Sequence, residues 1–150
     1  MKKEVKHRLI KHMTFLENEL KDYKLFEPLS WKEYNEERTK RRDVEKWIEN
    51  IINSSIDISK IILTSEEKSV PDTYKNIVKN LSLVTGFNEE EINKLTRWVG
   101  LRNIISHEYL DIRWASIKRF ISETEPLYKD FLDKTKAYLE KKIAEDKKTQ

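Results

Sequence analysis

Almost nothing in this chain interrupts a helix: it has two glycines and three prolines in 150 residues, well below average usage. Charged residues make up 38%, with 30 Lys+Arg against 27 Asp+Glu. Few breakers and many charges of both signs describe long helices, each with a solvated face and an apolar stripe.

The stripes are legible. Leu9, Met13, Leu16, Leu20 and Tyr23 step by four and three and predict a helix over 3–24. Phe26-Glu27-Pro28-Leu29-Ser30 ends it, and Ser30 with Glu33 reads as a capping box. A long helix follows, from 31 or 35 to 64, on Val44, Trp47, Ile48, Ile51, Ser55, Ile58 and Ile62. Its isoleucine richness suits a strand, but its period and length are helical. A short helix over 73–85 carries Tyr74, Ile77, Val78, Leu81 and Val84, with Gly86 suited to a left-handed C-cap. Asn88 and Glu91 open a helix over 89–109. The last helix runs from 112 or 113 to 143, kinked or restarted at Pro126, with a frayed charged tail from about 141. The expected architecture is an all-α, up-and-down bundle of four main helices plus a short one, in one domain spanning 1–150.

Composition excludes several classes. The chain has no cysteine, so disulfides and thiolate metal sites are ruled out, which fits a reducing, cytoplasmic setting. No apolar run approaches the roughly 20 residues of a membrane span. The charged start at Met1-Lys2-Lys3 is followed by no apolar signal segment. A net charge of +3 and a pI near 8.9 permit nucleic-acid contact without demanding it.

Chemistry is concentrated in Arg102-Asn103-Ile104-Ile105-Ser106-His107-Glu108-Tyr109. Continuing the Ile92, Leu95, Val99 stripe leads to Arg102, Ser106 and Tyr109, so an apolar stripe turns polar. Trp98, Leu101 and Ile105 carry the core load on a neighbouring stripe. Asn103 and His107 share a third line, and Arg102 and His107 are about 140° apart on a helix. Only the arginine's long stem, or a second subunit, brings these two to one cleft. The groups suit phosphodiester cleavage in RNA. An imidazole takes or gives protons near neutrality, a guanidinium holds a phosphate, and a phenol bonds a phosphate or stacks on a base. Asn103 can orient either partner. The ribose supplies the nucleophile, so no metal is required. Taken singly, each of these side chains reads more simply as a surface charge, a structural histidine or a rim aromatic; the conjunction is the signal.

At these residues the chain resembles the HEPN domain, specifically the HepT-type toxin of HEPN/MNT toxin–antitoxin pairs, whose motif is Arg, four residues, His, one residue, Tyr. Arg42-Asp43-Val44-Glu45-Lys46-Trp47-Ile48-Glu49 and Ser54-Ser55-Ile56-Asp57-Ile58 are similar to that family's long second helix, and Val70-Pro71-Asp72-Thr73-Tyr74 to the start of its third. The resemblance covers roughly 44–121. It implies an all-α homodimer with motif pairs facing a cleft between subunits, and metal-independent cleavage of RNA (mRNA or tRNA) without a cofactor. It also implies a minimal nucleotidyltransferase (MNT) antitoxin that moves AMP from ATP to the motif tyrosine. By position, Arg102 and His107 are catalytic, Tyr109 is the modified residue, and Asn103 and Ser106 are supporting.

Asp57, in the most apolar part of the long helix, has two readings: a buried carboxylate paired with Arg102 or His107, or an exposed helix-face acid. His7 and His12 have no ligand-like partner. The basic stretch Arg38 to Arg42 is either a solvated helix turn or an RNA contact. The four tryptophans, Trp31, Trp47, Trp98 and Trp114, are expected as core or interface anchors. The competing functional reading is a non-catalytic HEPN domain that binds or regulates a nucleotidyltransferase.

Overall fold

A computed structural model describes residues 1–148. Among them, nine α-helices and one 3-10 turn form an all-α bundle. They are α1 (Lys3–Leu20), α2 (Tyr23–Phe26), α3 (Trp31–Glu36), α4 (Arg38–Ser65), α5 (Tyr74–Lys79), the turn Asn80–Leu83, α6 (Glu89–Val99), α7 (Leu101–His107), α8 (Leu110–Glu123) and α9 (Glu125–Lys148). Each long element predicted from periodicity is present, but each is cut where a local constraint wins. The first stops at Leu20, and Tyr23–Phe26 forms a separate turn. The second breaks at Glu37, whose extended backbone divides α3 from α4. The third relaxes into the 3-10 turn after Lys79. The fifth restarts at Thr124 instead of kinking. Pro126 then falls in the first turn of α9, where a missing N–H leaves no intrahelical bond unmade.

The predicted N-caps are in place. Ser30 Oγ accepts from Glu33 N at 3.1 Å while Ser30 N donates to Glu33 Oε1 at 3.2 Å. Asn88 Oδ1 accepts from Glu91 N at 3.2 Å. Gly86 has the expected positive φ, 101°, but in a turn closed by Phe87 N on Val84 O at 3.3 Å, after the 3-10 turn has ended at Leu83, so it caps no helix.

Helix α4 is the central element, packing on α1, α3, α5 and α7. Ile48, Ile51, Ile52, Ile58 and Ile62 are buried, each contributing about 1.5–3 kcal/mol on burial. Ser54, Ser55 and Ser59 are buried beside them and donate to Asn50 O, Ile52 O and Ser55 O at 2.8, 2.6 and 2.7 Å. Small hydroxyls satisfied by their own helix let neighbouring helices approach closely. Trp47 joins the core, with Nε1 donating to Glu19 O at 2.8 Å and the rings of Tyr23, Phe26 and Phe120 around it. Trp98 and Trp114 are partly buried against this core, whereas Trp31 is exposed and does not belong to it.

The predicted frayed tail is helical to Lys148 and tied down. Lys142 Nζ lies 2.7 Å from Glu66, whose carboxylate also accepts from Tyr138 Oη at 3.1 Å; Met1 N and Lys6 Nζ lie 3.0 and 2.9 Å from Asp146. Among the described residues, no helix is long and apolar enough to cross a membrane.

Two buried tyrosines give opposite expectations. Tyr23 Oη shares a buried hydrogen bond of 2.7 Å with Thr124 Oγ1. Thr124→Val strands that phenol and should lower unfolding free energy by about 1–3 kcal/mol. Tyr128 Oη is buried with no partner among the described residues. Tyr128→Phe removes a polar atom that has nothing to bond, so stability should stay level or rise. Urea denaturation of both variants checks the pair, and a large loss in Tyr128→Phe would contradict it.

Candidate functional site

Helix α7 presents the motif, and its two ends explain its placement. At its start, Gly100 keeps helical angles, φ −62° and ψ −19°. A Cβ there would stand 3.2 Å from Lys75 Nζ and 3.3 Å from Arg97 O, so the glycine lets the lysine cross the α6–α7 junction. At its end, Glu108 and Tyr109 turn extended, with ψ of 163° and 161°. No glycine or proline causes this break. Instead Arg113 Nε donates to Glu108 O at 2.7 Å. Its NH1 reaches Glu45 Oε2 at 3.4 Å, and Glu45 Oε2 also accepts from the buried Tyr34 hydroxyl. The Tyr34 ring packs 5.3 Å from Trp114. Contact with Glu45 pushes the Tyr34 phenol up, second to burial itself. A chain of polar contacts thus runs from the core, through α4, to the carbonyl between His107 and Tyr109.

Arg102 and Ser106 line a hollow of about 350 Å³ against α4, with Arg42, Glu45, Lys46, Glu49 and Ile105. The Arg102 guanidinium lies over the Tyr74 ring, 4.6 Å from its centroid, and Lys60 Nζ lies 5.6 Å from the same ring. Arg102 Nε is buried and has no hydrogen-bond partner among the described residues. Held by a ring face, such a guanidinium keeps its in-plane donors for a phosphate. Glu45 is engaged by Tyr34 and Arg113, and Glu49 lies 3.9 Å from Lys46, so the other two cations of this hollow, Arg42 and Arg102, face carboxylates that are already engaged. Ser106 Oγ donates to Arg102 O at 2.9 Å, committing its proton to its own helix.

Asn103 and His107 are exposed and do not line this hollow. Within one chain, therefore, Arg102 and His107 do not open onto the same space. Tyr109 is a clearer departure from the expected stripe. Because α7 ends at His107, the phenol leaves the helix face and stands 82% exposed. Asp57 is not brought to Arg102 or His107. It faces α1, with Oδ2 4.0 Å from His12 Nδ1 and a side chain 43% exposed, as its helix-face reading holds. It lies about 80° around α4 from Glu49, off the line that fronts α7.

The basic stretch divides. Arg42 joins the hollow, whereas Arg41 NH1 donates to Tyr34 O and Asn35 O at 3.0 Å each, and Lys40 pairs with Glu33 and Glu37. Four residues of the site escaped the sequence reading: Tyr34, Glu45, Tyr74 and Arg113. Glu45 and Arg113 are 68 positions apart, so periodicity gives no signal for their pairing. Among the described residues, no group of three or more His, Cys, Asp or Glu side chains is placed to hold a metal ion.

Comparison with known proteins bears on the family and the fold. The family "Ribonuclease HepT-like" matches residues 16–135. An Archaeoglobus fulgidus protein named "Putative RNase" is 29% identical over 92 residues, covering 61% of this chain and 69% of that protein. The tri-AMPylated HEPN toxin of Shewanella oneidensis, solved in complex with MNT antitoxin, superposes with a TM-score of 0.74 at 18% identity, over 86% of this chain and 96% of that one. YutE of Bacillus subtilis, described as a cytosolic protein of unknown function, superposes with a TM-score of 0.74 at 19% identity, over 91% of each chain.

The Arg113 clamp has a direct consequence. Arg113→Ala frees the Glu108 carbonyl, and a hydrogen bond from a charged donor contributes about 1.5–3 kcal/mol. Amide hydrogen exchange across the end of α7 and the start of α8 should accelerate by roughly 10- to 100-fold, since 1.4 kcal/mol is a factor of ten. Exchange there that matches wild type would show that the break in the helix does not depend on Arg113.

Proposed function

The chain belongs to the HepT-like ribonuclease family, and from that premise we propose that it is the toxin of a toxin–antitoxin pair. On this reading it is a metal-independent endoribonuclease that works as a homodimer. The observation that carries the reading is Arg102: a guanidinium laid on Tyr74, with a buried donor unpartnered among the described residues, in a hollow it shares with Arg42 and Lys46.

The reaction follows from the groups available. An imidazole takes the proton of a ribose 2′-hydroxyl, and the freed oxygen attacks the adjacent phosphorus. The bond to the 5′-oxygen breaks, and that oxygen takes a proton from an imidazolium. Cyclic phosphate and 5′-hydroxyl ends result. Arg102 holds the phosphate and stabilises charge on its oxygens. One acid and one base are required, and each chain brings one histidine in this segment. His107 is exposed, next in sequence to Ser106 of the hollow, where a two-fold partner can complete the site.

Tyr109 is the proposed acceptor of AMP from a nucleotidyltransferase antitoxin. Its exposure supports this role, because a transferase can reach the phenol without unfolding anything. Adenylation sets a negative phosphate and a base beside the motif, which opposes an incoming RNA by charge and by volume.

A second reading has its own support. Arg102 and His107 face different spaces within one chain, as suits a non-catalytic domain that binds a nucleotidyltransferase. Cleavage assays in excess chelator separate the two. Wild type should cut RNA, and His107→Ala should lose about 100-fold or more, the usual contribution of an acid–base group. Tyr74→Phe should keep the rate, because only the ring face is used, while Tyr74→Ala should reduce it. Absence of cleavage by wild type, together with tight transferase binding, would establish the second reading. Incubation with the transferase and ATP should add mass at Tyr109, and mass found only elsewhere would reject that acceptor.

A further inference from the structure

Helix α7 divides two spaces. Opposite the Arg102 hollow, Leu101 and Ile104 face a groove of about 900 Å³ bounded by α6, α8 and the start of α9. Lys75, Lys94, Arg97 and Arg119 line it, together with Trp98. The Arg119 guanidinium lies over the Trp98 ring, 5.8 Å from its centroid, while Phe120 holds the indole edge-to-face at 5.6 Å. Arg119 is 70% exposed, and its recorded ion pair is a 3.4 Å contact with the exposed Glu123, the kind of pair that contributes little. Each flank of α7 therefore carries an arginine laid on an aromatic face: Arg102 on Tyr74, and Arg119 on Trp98. The two spaces approach each other at the start of α5. There Tyr74 lies under Arg102, and the next residue, Lys75, crosses Gly100 into the groove.

The charge in the groove is graded. Three carboxylates also line it: Glu123 beside Arg119, and Glu91 and Asp130 together at the end formed by the start of α6 and by α9. The neighbouring Asp130 carboxyl, more than burial, raises the Glu91 carboxyl. Six residues along α6, about 9 Å away, Arg97 stands near the junction that Lys75 crosses. An anionic strand is drawn to that junction and opposed at the carboxyl end.

We propose that this groove is a second binding site, for single-stranded RNA. It holds nucleotides that flank the bond presented at α7, with backbone phosphates on Lys75, Arg97 and Arg119 and a base on the Arg119–Trp98 stack. Cations interleaved with an aromatic platform are the general chemistry of strand binding, and guanidinium planes also stack on bases. The assignment of the strand's role rests on the nuclease reading of α7; its binding does not.

The test uses full-length protein with Lys75, Arg97 and Arg119 each changed to Gln, and Arg119→Gln alone as the mildest variant. Binding is read with a 2′-O-methyl oligonucleotide of about 16 nucleotides, at the upper end of strand-site sizes, which lacks the attacking hydroxyl. Across a salt series, the slope of log affinity against log salt should fall by about 2 in the triple variant, at about 0.7 per phosphate contact. In cleavage, KM for a long RNA should rise about tenfold with kcat near wild type, and a tetranucleotide should be cut equally by both proteins. An unchanged slope in both variants overturns the proposal. So does a change in sedimentation mass without a change in affinity, which would make the groove a contact between copies of the chain. If wild type cleaves nothing yet the slope falls as expected, the nuclease reading fails and the binding site stands.

Discussion

One carboxylate ties the core of this protein to its motif. Glu45 projects from the central helix α4, accepts the buried Tyr34 hydroxyl and meets Arg113, which in turn holds the carbonyl of Glu108. Both ionic partners are largely shielded, with side chains 24% and 18% exposed. Removing one of them leaves a partly desolvated charge, and the penalty lies between that of a surface pair, about 0–1 kcal/mol, and that of a buried one, about 3–5 kcal/mol. The same carboxylate forms a wall of the Arg102 hollow. Its engagement elsewhere keeps it from capturing Arg102, so the hollow retains a cation with donors to offer.

The arginines owe their availability to aromatic rings more than to acids. A carboxylate opposite Arg102 would fix it but would also occupy the donors a phosphate needs. A ring face fixes the guanidinium from above and leaves its edge open. Tyr74 stands where it can do this because Thr73 caps the start of α5, accepting from Asn76 N at 3.2 Å, and the ring lies under the Arg102 guanidinium. The local start of a six-residue helix thereby orients a side chain on α7, 28 positions away in sequence.

What the sequence reveals divides along the same line. Repeating contacts are legible: the Val44 to Ile62 stripe, the Ser30–Glu33 box and the Asn88–Glu91 cap all follow from neighbours within one or two turns. Helix breaks without a breaker residue are not. Glu37 and Glu108 are ordinary glutamates with extended backbones, and at Glu108 the carbonyl is held by Arg113, which Glu45 of α4 anchors. The polar extension of the Ile92 stripe is legible as far as Ser106 and fails at Tyr109, because Arg113 ends the helix first. Asp57 misleads for a different reason. Apolar neighbours in sequence, Ile56 and Ile58, point to other sides of the helix and say nothing about the space in front of the carboxylate.

The separation of Arg102 from His107 is a property of helix geometry, and it bears on why such a site would be shared. Five residues rotate a side chain by about 140°, so no rotamer of a histidine at that spacing meets the phosphate of its own arginine from the same direction. Two copies related by a two-fold axis near α7 change the problem: each arginine can face the other copy's imidazole, and the pair of imidazoles supplies an acid and a base together. An exposed His107 and an Arg102 whose Nε has no partner among the described residues are what such an arrangement needs from each half. On this proposal the 140° offset prevents an isolated chain from assembling a complete site, which makes association itself a condition for cleavage.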